Sequence, residues 1–147
     1  MEQLNLKGHV VLVDAQKTKE LYAPLPLVSD KAHCGCEDCR YYTEAIMRTS
    51  AAIQQFLQQF GIDPRREGEI WMAAEYDDGT RLYIVDYRSV GKIQDADRLN
   101  GWIEIDEAKF SLTNYPILPI FSTLIPSIIV LQAEIMIRPE KNKALEE

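Results

Sequence analysis

The spacing of apolar residues along the chain changes period several times, and each change marks an element. A β-branched run at residues 9–13, His-Val-Val-Leu-Val, predicts a first strand ended by Asp14. Residues 21–28 carry Pro24 and Pro26 at alternate positions, which disfavour a helix and predict an extended arm. From residue 38 the spacing turns helical. Tyr42, Ala45, Ile46, Ala52, Ile53, Phe56, Leu57 and Phe60 fall near one face, which predicts a helical region over 37–60. Thr49-Ser50 offers an N-cap for a second segment inside that region, Gly61 a left-handed stop, and Asp63-Pro64 a barrier to resumption.

After Gly68 the period drops to two. Segments 69–76 and 81–87 flank Asp77-Asp78-Gly79-Thr80, whose Asp-Gly pair predicts a β-hairpin. Shorter strands follow at 101–105 and 110–112, joined by a turn at Asp106-Glu107. The most apolar stretch, 115–131, is shorter than a comfortable membrane span and carries Pro116, Pro119 and Pro126, so it reads as loop followed by strand. A last strand over 127–138 puts Ile129, Leu131, Ala133, Ile135 and Ile137 on one face and Gln132, Glu134 and Arg138 opposite, the pattern of a central strand with one face on helices. The class this predicts is α+β: an N-terminal strand and helical segment, then an antiparallel sheet with helices on one face.

Length and charge narrow the function. A chain of 147 residues is expected to form a single domain, residues 1–147, with a core large enough that a metal is optional for folding. The net charge of −7, with only Arg65-Arg66 as adjacent cations, argues against a nucleic-acid partner. No charged-then-apolar run opens the chain and no segment reads as a membrane span, so the expected location is the cytoplasm. Three cysteines packed into six residues do not resemble a secreted disulfide framework, which agrees with a reducing compartment.

The candidate chemistry lies at His33-Cys34-Gly35-Cys36-Glu37-Asp38-Cys39-Arg40, which holds every cysteine and one of the two histidines. Three readings stand side by side. In the first, Cys36-x-x-Cys39 chelates zinc near a turn, Cys34 joins it and His33 completes the set; His9 is a further nitrogen donor if its strand packs beside the cluster. Adjacent His33 and Cys34 point apart in most backbone conformations, so their joint use needs an unusual bend near Gly35. In the second, a Cys-x-x-Cys at a helix N-terminus works in redox chemistry, opposed here by acidic Glu37 and Asp38 and by the lack of a βαβ pattern. In the third, the cysteines are small residues at a loop-to-helix junction and bind nothing.

The run Cys36-Glu37-Asp38-Cys39-Arg40-Tyr41-Tyr42, with Phe56-Leu57-Gln58-Gln59-Phe60-Gly61-Ile62-Asp63-Pro64 after it, resembles a family of small uncharacterised bacterial proteins. Their pattern is Cys-x-x-Cys-Arg-Asn-aromatic, a helix ending in Gly-Ile-Asp-Pro, and a β-rich remainder. Tyr41 stands where that pattern has Asn. The resemblance implies bacterial origin and the α+β fold, names no activity, and favours a metal role for Cys36 and Cys39.

Other chemistry finds little support. Asp95-Ala96-Asp97-Arg98-Leu99-Asn100-Gly101 lacks a third oxygen donor and a closing Glu for calcium, and reads as an acidic turn. No Gly-x-Ser-x-Gly elbow or phosphate loop is present, which argues against an ordinary hydrolase or nucleotide enzyme. Trp71, Tyr76, Tyr83, Tyr87 and Trp102 are expected half-buried on the sheet. Left on an open face, they would suit a homodimer or partner-protein contact. Two functions therefore lead: a protein with a structural zinc site, or a non-catalytic interaction or accessory module without metal.

Overall fold

The computed structural model describes residues 1–31, 34–66, 68–116 and 126–139. Its elements are strands β1 (Glu2–Leu6) and β2 (His9–Val13), helices α1 (Ala15–Tyr22) and α2 (Glu37–Ala45), a 3-10 turn at Ile46–Arg48, and helix α3 (Ala51–Gln59). Strands β3 (Glu69–Glu75), β4 (Arg81–Ile93), β5 (Ile103–Ile105), β6 (Ala108–Asn114) and β7 (Ile128–Ile137) complete the chain. All seven join one sheet in the order β1-β2-β4-β7-β6-β5, with β3 also on β4, and every pairing is antiparallel. This is the expected α+β architecture, dominated by the sheet.

Alternation along the strands sorts the two faces. Tyr83, Val85 and Tyr87 of β4, Ile129 through Ile137 at odd positions of β7, and Phe110 and Leu112 of β6 are buried. They share one core with Tyr42, Ile46, Ile53, Phe56, Leu57 and Phe60 of the helical region, so the helices cover this face. Phe56 meets Phe110 at 4.6 Å between ring centroids and Tyr42 meets Tyr83 at 5.0 Å. Strand β7 is central, as its unbroken apolar face required, with β4 on one side and β6 on the other. Ala52 is the one helical position expected inside that lies exposed.

Strand β4, at thirteen residues, organises the sheet. β7 runs along one edge; the other edge pairs β3 at Arg81 to Asp86 and β2 at Gly91 to Ile93. The stretch between has no strand beside it, and helix α1 satisfies its backbone instead. The Tyr22 hydroxyl donates to the Arg88 carbonyl at 2.7 Å and accepts the Arg88 N–H at 3.2 Å. The Thr18 hydroxyl accepts the Val90 N–H at 2.9 Å while donating to the Asp14 carbonyl. Two side chains thus stand in for a missing strand and leave no buried donor orphaned there.

Two N-terminal elements differ from expectation. Residues 2–6 form β1, a hairpin partner of β2, where no strand was predicted. Residues 15–22 form α1, so Leu21 and Tyr22, predicted to be extended, are helical, and only the part of the arm after Ala23 is irregular. The side chain of Asp14 caps α1 by accepting the Lys17 N–H at 3.0 Å, which gives the helix its start. Gly61, at φ +75°, stops α3 as predicted and could not be otherwise: a Cβ there would lie 2.2 Å from the Ala15 carbonyl oxygen. Of the predicted loop at 115–131, residues 117–125 lie outside the described residues.

Candidate metal centre

The site is built where the irregular arm turns into α2. The Cys34 N–H donates to the Asp30 carbonyl at 3.0 Å, which folds the arm back on itself. Gly35 takes φ +71°, a left-handed step that reverses the chain between the first two cysteines. Cys36 is then extended (φ −74°, ψ 166°) as the N-cap of α2, its sulfur accepting the Cys39 N–H at 3.4 Å. Cys39 follows one turn into the helix, facing the same side. The three Sγ atoms lie within 4.8 Å of one another. A tetrahedral zinc with Zn–S near 2.3 Å needs its sulfurs about 3.8 Å apart, so modest closure brings these three into range.

The thiols are not equivalent. Cys34 and Cys36 are exposed and Cys39 is buried. The Cys36 thiol is pulled below its ordinary range by the Cys39 backbone N–H first, then by hydrogen bonds from the Cys34 and Cys39 thiols. Burial pushes the Cys39 thiol up, and its contacts with Cys36 and Cys34 add to the rise. Of these two, Cys36 therefore gives up its proton more readily than Cys39. Glu37 and Asp38 occupy the first turn, where the helix dipole favours them.

Contacts behind the cluster hold α2 in place. The Tyr83 hydroxyl of β4 donates to the Asp38 carbonyl at 3.1 Å. Arg81, at the start of β4, reaches Asp38 at 3.8 Å and Glu75 at 3.7 Å, and stacks over the Tyr41 ring at 4.0 Å. Deeper in, the Tyr42 and Tyr87 hydroxyls bond to each other, and Tyr87 donates to the Pro64 carbonyl at 2.9 Å. Burial raises both of these phenols, so they serve as neutral hydrogen-bonding groups.

Of the residues expected at the site, Cys34, Cys36 and Cys39 converge, and His33 lies outside the described residues. His9 does not join them. It sits past the Ile93 end of β4, bonded through Nδ1 to Asp95 at 3.2 Å, whereas Asp38 is tied to the Arg81 end, roughly 40 Å of strand away. The redox reading lacks a thioredoxin-type framework, since no parallel strand pair occurs among the described residues. Asp95 and Asp97 belong to no metal-ligating group among the described residues. Arg81 and Tyr83 are the supporting residues that sequence reasoning missed; their role depends on β4 lying under the first turn of α2.

Among the described residues no helix is long and apolar enough to cross a membrane. Comparison with family models, with curated proteins and with solved structures yields no match.

Proposed function

We propose that Cys34, Cys36 and Cys39 bind one zinc ion that clasps the arm preceding α2 onto the start of that helix. The convergence of three sulfurs within 4.8 Å of one another carries this reading. Three thiolates favour a soft, tetrahedral ion over calcium or magnesium, which take oxygen donors. His33 is proposed as the fourth donor from its place in the chain, beside Cys34. The role is structural, in a protein of bacterial type as its Cys-x-x-Cys-Arg pattern suggests, and the ion adds to a core that folds without it.

Elemental analysis of untagged protein, with thiol titration before and after chelation, tests the reading. About one zinc per chain is expected, with thiols that react only after chelation. At zinc levels some hundredfold above Kd the ion adds about 3 kcal/mol, so chelation lowers Tm by roughly 10 °C. Absence of metal together with freely reactive thiols at the two exposed cysteines, Cys34 and Cys36, would favour the interaction module instead. One observation supports that second reading: Trp71 is 66 % exposed on β3, whose far edge pairs with no strand among the described residues.

A further inference from the structure

A groove of about 430 Å³ opens between α1, α3 and the segment 61–66, and none of the three cysteines lines it. Its size falls within the roughly 300–1,000 Å³ of small-molecule sites. Its charge runs against that of the protein. The chain carries −7 overall, yet the groove is lined by Lys19, Arg65 and Arg66 against a single carboxylate, Asp63.

That carboxylate is already engaged. It accepts Arg65 Nε at 3.1 Å and Nη2 at 3.2 Å, and Arg66 Nε at 3.1 Å, so it holds two guanidinium groups side by side that would otherwise repel. Partial burial opposes its charge, and the Arg65 contacts more than offset that, so Asp63 stays ionised below the usual carboxylate range. Arg66 spends one further N–H on the Leu25 carbonyl at 2.7 Å. Arg65 Nη1, Lys19 Nζ and the Gln58 amide have no partner among the described residues and remain available as donors. Ile62 and Tyr22, both buried, supply an apolar wall beside these donors.

We propose that this groove binds a small organic anion, one carboxylate or phosphate group on a short apolar body, with the anion against Lys19 and Arg65 and the body against Ile62 and Tyr22. A guanidinium fixed by Asp63 beside the Lys19 ammonium suits either anion, and the neighbouring wall disfavours a bare inorganic ion.

The test is titration of full-length protein with hexanoate, phenyl phosphate, inorganic phosphate and hexan-1-ol, followed through backbone amide NMR shifts. Saturable shifts at the amides of Gly61, Ile62, Asp63, Arg65 and Arg66 are expected with hexanoate or phenyl phosphate, and the tighter of the two identifies the anion. Binding should weaken with added salt. Lys19→Gln, a change at an exposed residue, and Arg65→Gln should each weaken it roughly tenfold. Hexan-1-ol binding as tightly as hexanoate, or neither anion saturating by about 10 mM, would overturn the proposal. Inorganic phosphate matching phenyl phosphate would overturn the assignment of an apolar body, and an unchanged Kd in both variants would overturn the assigned anion position.

Discussion

The sulfur of Cys36 accepts the backbone N–H of Cys39 at 3.4 Å, so one side chain caps helix α2 and also belongs to the thiol cluster. Substitutions separate those two duties. Serine is a good N-cap and a poor zinc ligand, so Cys36→Ser should leave the metal-free protein within about 0.5 kcal/mol of wild type while abolishing tight zinc binding. Cys36→Ala loses both and should cost the metal-free protein about 1 kcal/mol. Urea denaturation of both variants with and without zinc reads the difference. Equal behaviour of Ser and Ala without zinc would mean that the cap contributes nothing.

Zinc affinity should depend steeply on pH, and the sign follows from the thiols. Burial raises the Cys39 thiol, so it holds its proton and must give it up to bind metal; Cys36 is lowered and yields its proton more readily. Metal binding releases protons, is favoured as pH rises and is lost as pH falls. With two to three protons displaced, affinity should fall roughly 100- to 1,000-fold per pH unit on the acidic side. Competition with a chelator of known affinity across that range measures the slope.

Tyr83 anchors the first turn of α2 from outside the cysteine cluster. Tyr83→Phe removes only the hydroxyl that donates to the Asp38 carbonyl, and should destabilise the protein by about 1 kcal/mol. Because that turn carries Cys39, zinc affinity should also drop several-fold with stoichiometry unchanged. An unaltered zinc Kd would show that the turn is held without it.

Helix α1 acts as a surrogate strand for β4, and this is open to test. Thr18→Val keeps the side-chain shape but leaves the Val90 N–H unsatisfied, and Tyr22→Phe does the same at Arg88. Each should cost about 1–3 kcal/mol, the usual penalty for an orphaned buried donor. The same two variants should speed hydrogen exchange at the amides of Arg88 and Val90, which native-state exchange measures directly.

The parts of the fold legible in the sequence are those with a local cause. Ser50 and Gly61 bracket α3, the Asp78-Gly79 turn fixes the β3–β4 hairpin, and the odd-numbered apolar residues of β7 declare its buried face. Helix α1 was hidden because only Thr18 and Tyr22 of its eight residues are buried, so its periodicity is faint, although Asp14 was a readable cap. Strand β1 buries little, and its only sign was the turn at Lys7-Gly8. β4 runs six residues past its predicted end because Arg88-Ser89-Val90-Gly91 has no strand period of its own and is held by its ladder with β7 and by contacts with α1 and β2. The cysteine spacing announced the cluster, whereas Arg81 and Tyr83 reach it only through tertiary packing.

The most direct measurement is X-ray absorption at the zinc edge on protein loaded with one equivalent of metal. Three sulfur neighbours at about 2.3 Å with one nitrogen or oxygen at about 2.0–2.1 Å are expected if Cys34, Cys36 and Cys39 share one ion. A shell of nitrogen and oxygen alone, or the same spectrum after Cys34, Cys36 and Cys39 are all changed to serine, would show that these sulfurs do not form a metal centre.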